Sequence, residues 1–281
     1  MTTMPGPVAA SLRHEAITLG GVIERNWYLI KRYLWWEVAF FFWSLANTLT
    51  IVFIAKGIKA AGGHIDVNRA TTTLLIGAVI WSYLGLVFEF MTETVAWERW
   101  EGTIEYTFMA PLRRSVHLFG VGAFAVLYGI FRSAVLFAVV ASLFGLHMPQ
   151  ADFFAAAVIL AVASVSFMGV GTMTSVLPLI SPEKGAQLGF IAQGTLLVIS
   201  GIYYPVSVLP VWMRWLSVIS PATYTLRGIR HAVLDGSGVT TLWGDIWPLI
   251  VIGIVAFPLG VWIFKRGEIY AKKHGKLKRS G

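Results

Sequence analysis

Residues 72–95 read TTLLIGAVIWSYLGLVFEFMTETV, and the chain then changes character into WERWEGTIEYTFMAPLRRS at 97–115. The first stretch carries no charge before Glu89 and is long enough to cross about 30 Å of hydrocarbon at about 1.5 Å of rise per residue. The second is amphipathic. Wound as a helix, it places Trp97, Trp100, Ile104 and Phe108 on one face and Glu98, Glu101 and Glu105 on a ridge beside it. Pro111 stops that helix ahead of Arg113 and Arg114. The expectation is a membrane-spanning helix followed by a short helix over 97–110 lying parallel to the membrane. Its aromatic face would be held by the bilayer and its acidic edge offered to a soluble partner.

Working outward, apolar runs of similar length recur at 36–56, 117–145, 151–180, 186–204 and 245–264, which with 72–95 makes six expected spans. The composition agrees: 57% of residues are hydrophobic and 13% charged, against roughly a quarter charged in soluble domains. A soluble globular fold is excluded, and the expected class is an all-α membrane protein forming one transmembrane domain over 1–281. The opening residues, MTTMPGPVAASLRHEAITLGG, hold no apolar core with a small-residue cleavage site, so the N-terminus is expected to be retained. There is no cysteine, hence no disulfide framework and no thiolate metal site.

Charge placement orients the chain. With both termini on the cytoplasmic side of the cell membrane, fifteen basic residues fall inside and six outside, while Arg132 lies within a span; this is the positive-inside bias. Ahead of the first span, Leu12, Ala16, Leu19, Ile23, Trp27, Ile30 and Leu34 recur every three or four residues, which predicts an interfacial helix over 11–34 with Gly20 and Gly21 as its weak point. The tail from 265 to 281 is basic and suited to anionic lipid headgroups or simple solvation. The loop at 57–70 reads as an external connection, its lone His64 having only Asp66 nearby and so no metal-ligand set. No nucleic-acid partner is expected.

Residues 200–236, SGIYYPVSVLPVWMRWLSVISPATYTLRGIRHAVLDG, are interrupted by Pro205, Pro210 and Pro221 and cannot be one straight span. Pro210 and Pro221 suit the first turns of two short helices, with Ser220 at an N-cap position. Tyr203, Tyr204, Trp212, Trp215 and Tyr224 suit a headgroup boundary. A helical hairpin over about 205–235, dipping into the outer leaflet edge, is expected. Arg227, Arg230 and His231 read as interfacial anchors, with an anionic ligand as the other reading.

Within the spans, Arg132 and Glu89 need partners. An Arg132–Glu89 pair closing a depth difference of about 9 Å is expected as a structural tie. The three carboxylates at 98–105 do not make an enzyme site, because no His, Asn or basic partner completes one.

Two stretches, EGTIEYTFMAPLRRSVHLFG at 101–120 and SGIYYPVSVLPVWMRWLSVISPATYTLRGIR at 200–230, resemble the permease subunit of type-2 ATP-binding-cassette transporters, in the group of bacterial drug, lipid and polysaccharide exporters. The resemblance implies that the helix at about 97–110 is a coupling helix docking on a nucleotide-binding ATPase subunit, through Glu98, Arg99, Glu101, Gly102, Glu105, Tyr106, Met109, Pro111 and Arg113. It implies a re-entrant external element including Pro205, Pro210, Pro221, Tyr224 and Arg227, and a second permease protomer. Spans two and five would face the path, which puts Trp81, Tyr83, Phe88, Gln193, Thr195, Ser200 and Tyr203 there. The chain contains no GxxxxGK[ST] phosphate loop, so ATP and Mg are expected on the partner and no cofactor or catalytic site here. The expected cargo is a drug or lipid, with a lipid-linked polysaccharide as the alternative. An ATP-independent channel or secondary transporter would be expected to show several intramembrane ionisable residues or paired broken helices.

Overall fold

The computed structural model describes residues 7–60, 66–110, 112–181 and 184–275, and the described residues contain helices and turns but no strand. Helix α1 (Pro7–Arg32) meets α2 (Leu34–Ala60) at Tyr33, and α3 (Val67–Glu101) leads into the short α4 (Ile104–Met109). Then come α5 (Arg114–Phe144), α6 (Phe153–Thr174) with its short continuation α7 (Val176–Ile180), and α8 (Gly185–Ile199). A 3₁₀ turn at Val206–Val208 precedes α9 (Val211–Val218), α10 (Pro221–Asp235) and α11 (Trp243–Lys273). His64, in the segment 61–65, lies outside the described residues.

Among the described residues, five helical segments are long and apolar enough to cross a bilayer: Leu34–Ile58, Val67–Glu101, Arg114–Phe144, Phe153–Ile180 and Trp243–Lys273. The sixth expected span, 186–204, differs. Its helix α8 has 15 residues, about 22 Å long, and ends ahead of Gly201, whose φ of 69° turns the chain. Local chemistry sets the other starts: the carboxylates of Asp66 and Asp152 accept the amides of Arg69 and Ala155 as N-caps of α3 and α6.

The centre of the molecule is α3, which packs against α2, α5, α6, α8 and α10. Its Tyr83 is fully buried and shares a hydrogen bond with Ser164 of α6. Helices α6 and α11 approach backbone to backbone. A Cβ on Gly169 would sit 2.6 Å from the Phe257 amide nitrogen, and one on Gly260 would sit 2.8 Å from the Gly169 carbonyl oxygen; small residues permit this closeness, and dispersion contacts reward it where hydrocarbon replaces water. The outer surface is apolar instead: Trp35, Phe42 and Phe53 of α2 are all exposed, as suits a lipid-facing helix.

Helix α1 departs from its expected form. It runs unbroken through Gly20 and Gly21, and its packed face is Val22, Asn26 and Ile30 rather than the full stripe from Ala16 to Leu34, of which Ala16, Trp27 and Leu34 are exposed. The partner is α5, whose Gly120 leaves room for Val22 and Leu19. Tertiary contact has rotated the buried stripe away from the sequence periodicity.

The two expected proline-started helices are present as α9 and α10, with Pro221 in the first turn. Ser220 stands at the N-cap position of α10, but its hydroxyl makes no cap bond and instead shares a 2.6 Å hydrogen bond with Ser200. Arg227 and Arg230 are not free interfacial cations: Arg227 pairs with Asp245 of α11, and Arg230 donates to the carbonyl oxygens of Gly201 and Ile202 just after α8. At the same end, Arg69 of α3 sits 2.8 Å from Asp235, which also meets His231. These hydrogen bonds hold the Asp235 carboxyl below the ordinary aspartate range.

Candidate functional site

Two features stand out, one at the end of α3 and one beside it. Helix α3 ends at Gly102, whose φ of 75° lies in the left-handed region, and the Thr103 amide donates back to the Glu98 carbonyl. This Schellman-type end turns the chain sharply, so the helix expected over 97–110 is two helices with an elbow. The expected aromatic face divides accordingly: Trp97 and Trp100 cluster with Tyr33 at ring separations of 5.3–6.1 Å, whereas Ile104 and Phe108 enter a core with Met91, Leu179 and Phe264.

The acidic ridge divides as well. Glu98 is 1% exposed and accepts from Arg25 at 2.8 Å, and buried Arg99 donates to the Leu179 carbonyl. Both therefore face inward, tying α3 to α1 and α7. Glu101 is largely covered, near Tyr33 and Arg32. What faces outward is Glu105 with Tyr106 and Met109, the latter two 74% and 73% exposed. Arg113 is exposed but paired with Glu15 of α1, and Pro111 lies outside the described residues.

Helix α4 is held rigidly from behind. The Arg114 side chain donates to Glu268 of α11 at 3.0 Å and to the carbonyl oxygens of Thr107 and Phe108 at 2.9 and 2.7 Å, with its guanidinium over the Phe108 ring. Lys272 pairs with the same Glu268 at 2.6 Å. One arginine thus satisfies the free carbonyls of a short helix and joins it to the last span. Sequence reasoning passed over Glu268, because an acidic residue near a basic tail looks like ordinary surface charge.

A cavity of about 830 Å³ lies between the end of α1, α2, α3 and α8. Of the residues expected on a path, Trp81, Gln193 and Tyr203 line it. Tyr83 and Phe88 are instead buried in the core shared by α3 and α6, Ser200 is buried against Ser220, and Thr195 bonds its own helix on an exposed face.

Arg132 and Glu89 are coupled electrostatically but are not in ion-pair contact, and the close partners of Arg132 lie elsewhere. Arg132 lies 3.7 Å from Glu37 and 3.2 Å from the Ser44 hydroxyl, both on α2, and Glu37 also accepts from Tyr128 at 2.7 Å. The reason is rotational: Tyr83 and Leu86 meet α5 at Gly129, and Phe90 meets it at Phe124 and Tyr128. Glu89 lies off that face, in a crevice with Gly189, Phe190 and Gln193 of α8. Among the described residues no group of three or more His, Asp or Glu is placed to hold a metal ion.

Over residues 24–234 the chain matches the ABC-2 type transporter family. Over 175 residues it is 25% identical to the probable multidrug ABC transporter permease YbhR of Escherichia coli strain K12, and equally to that of Escherichia coli O157:H7. Each alignment takes in 62% of this chain and 46% of the relative, so the chain spans about half the length of the curated relatives it matches. Because the family match covers more than half of the chain, including the α3–α4 elbow and the helices around the cavity, the chain belongs to the ABC-2 type transporter family.

Proposed function

We propose that this chain is the membrane-spanning permease subunit of an ATP-driven exporter, with both termini cytoplasmic and ATP and Mg bound by a separate ATPase subunit. The observation that carries the reading is the α4 elbow. A six-residue helix is fixed from behind by Arg114 and Glu268 and presents only Glu105, Tyr106 and Met109 outward. Such a short helix gains nothing from isolation; a rigid mount with a polar and apolar outer edge suits a docking surface.

On this reading two ATPase subunits, one per permease protomer, close on ATP and displace α4. The displacement passes through the Gly102 turn into α3 and through Arg114–Glu268 into α11, and the cavity between α2, α3 and α8 changes exposure. Differential ATP affinity for the two arrangements supplies the population shift. The cargo is a hydrophobic or amphipathic compound, drug or lipid, in keeping with the aromatic walls beside α3.

The test is co-purification of an ABC-type ATPase co-expressed with the chain, followed by assay of vanadate-sensitive ATP hydrolysis in the complex. A stable complex with ligand-stimulated hydrolysis is expected. A chain that moves solute across vesicles without any ATPase would overturn the reading in favour of a channel or secondary transporter.

A further inference from the structure

The cavity between α2, α3 and α8 holds more than an apolar lining. Its volume of about 830 Å³ lies within the range that encloses a drug-sized molecule. Trp36, Trp43, Trp81 and Trp97 contribute to its walls, and aromatic faces attract cations through the ring quadrupole.

Its charges do not cancel. The two arginines that line it already have carboxylates: Arg25 is 2.8 Å from Glu98, and Arg132 is 3.7 Å from Glu37. Glu89 and Glu93 also line it, one helical turn apart on α3, and among the described residues neither makes an ion pair. Glu93 accepts a hydrogen bond from the Trp97 indole at 3.2 Å, a neutral donor. Two carboxylates thus share an aromatic cavity on one membrane-crossing helix with no cation in contact with either, a costly arrangement in a medium that cannot solvate charge; Arg132 acts on Glu89 only from beyond ion-pair distance and is shared with Glu37.

We propose that this cavity binds an amphipathic organic cation, its charged centre held by Glu89 and Glu93 and its apolar body packed between the tryptophans of α2 and α3. This deepens the permease reading, and rests on it for the statement that the bound compound is cargo. Binding itself needs no ATPase, which allows the two to be tested apart.

The full chain is reconstituted alone in lipid nanodiscs and titrated by equilibrium dialysis with tetraphenylphosphonium and, separately, tetraphenylborate, two ions of nearly the same shape and opposite charge; empty nanodiscs supply the partition background. Saturable binding of the phosphonium above that background is expected, with weaker binding of the borate. The double variant Glu89→Gln/Glu93→Gln should lower phosphonium affinity by about tenfold or more, while Glu89→Asp/Glu93→Asp, which keeps both charges, should retain most of it.

Equal or tighter borate binding, unchanged phosphonium affinity in the glutamine variant, or no saturable binding to a folded chain would overturn the proposal. The last result is the one produced if a basic side chain of a second protomer already occupies the two carboxylates. Loss of ATPase co-purification with phosphonium binding intact would sink the permease reading and leave the binding site standing.

Discussion

The Arg114 guanidinium stands 3.0 Å from the Glu268 carboxylate, and the two residues join the short helix α4 to the last membrane helix although they are far apart in sequence. Both are nearly buried. Breaking such a pair from one side leaves an uncompensated buried charge and costs about 3–5 kcal/mol. Glu268→Ala should therefore lower the thermal unfolding midpoint of the purified chain markedly. Replacing both residues by glutamine should cost less than the sum of the single losses. Additive single and double variants would show that the two charges do not interact.

Glu98 and Glu105 lie on the same expected ridge but do different work. Glu98→Ala removes the buried partner of Arg25, whose own side chain keeps access to solvent, and should destabilise the chain by about 1–3 kcal/mol. Glu105→Lys alters an exposed position and should leave stability within about 0.5 kcal/mol while weakening capture of the ATPase. Thermal unfolding and pull-down on the same preparations separate the effects. Equal destabilisation by the two variants would return Glu98 to the surface.

The elbow needs a left-handed residue at Gly102, where φ is 75°. An L side chain there costs about 1–2 kcal/mol, with asparagine the best tolerated after glycine. Gly102→Ala should lower stability and reduce ATP-driven transport more than Gly102→Asn. If alanine transports as well as glycine, the turn is not what couples α4 to α3.

Outside the membrane helices, Asp235 ties α10 to Arg69 of α3. Its carboxyl titrates below its unfolded value because Arg69 and His231 hydrogen-bond the charged form. Its contribution is fully present above the unfolded aspartate pKa of about 3.9 and fades as the pH falls through the lower folded value. The amide-exchange protection factor at residues 231–238, the intrinsic rate at each pH over the observed rate, should fall on acidification through that window, and in Asp235→Asn it should be low already at neutral pH. A pH-independent protection factor in the native chain would contradict the tie.

Much of this fold was legible because hydrocarbon imposes one rule, long apolar runs with few charges, and five helices among the described residues meet it. The two proline-started helices were legible too, since Pro221 fixes its own backbone angle. What escaped was rotation about helix axes. Whether Glu98 faces in or out, and whether Arg132 meets Glu89 or Glu37, depends on which side of α3 lies against α5, and that is decided by Gly129 and Tyr83 in contact. Glu37 was hidden at the first turn of an expected span, where a carboxylate looks like a helix-end charge. Gly102 carried a readable signal, a glycine after a charged helical turn, but the amphipathic period ran straight across it.

The claim on which the rest depends is that the outward edge of α4 meets the ATPase. A photo-crosslinking amino acid placed singly at 105, 106 and 109, and at the inward positions 98, 104 and 108, in the chain co-expressed with its ATPase, tests it directly. Crosslinks to the ATPase at the three outward positions and none at the three inward ones are predicted. Absence of crosslinks at 105, 106 and 109 in a complex that still hydrolyses ATP would contradict the account.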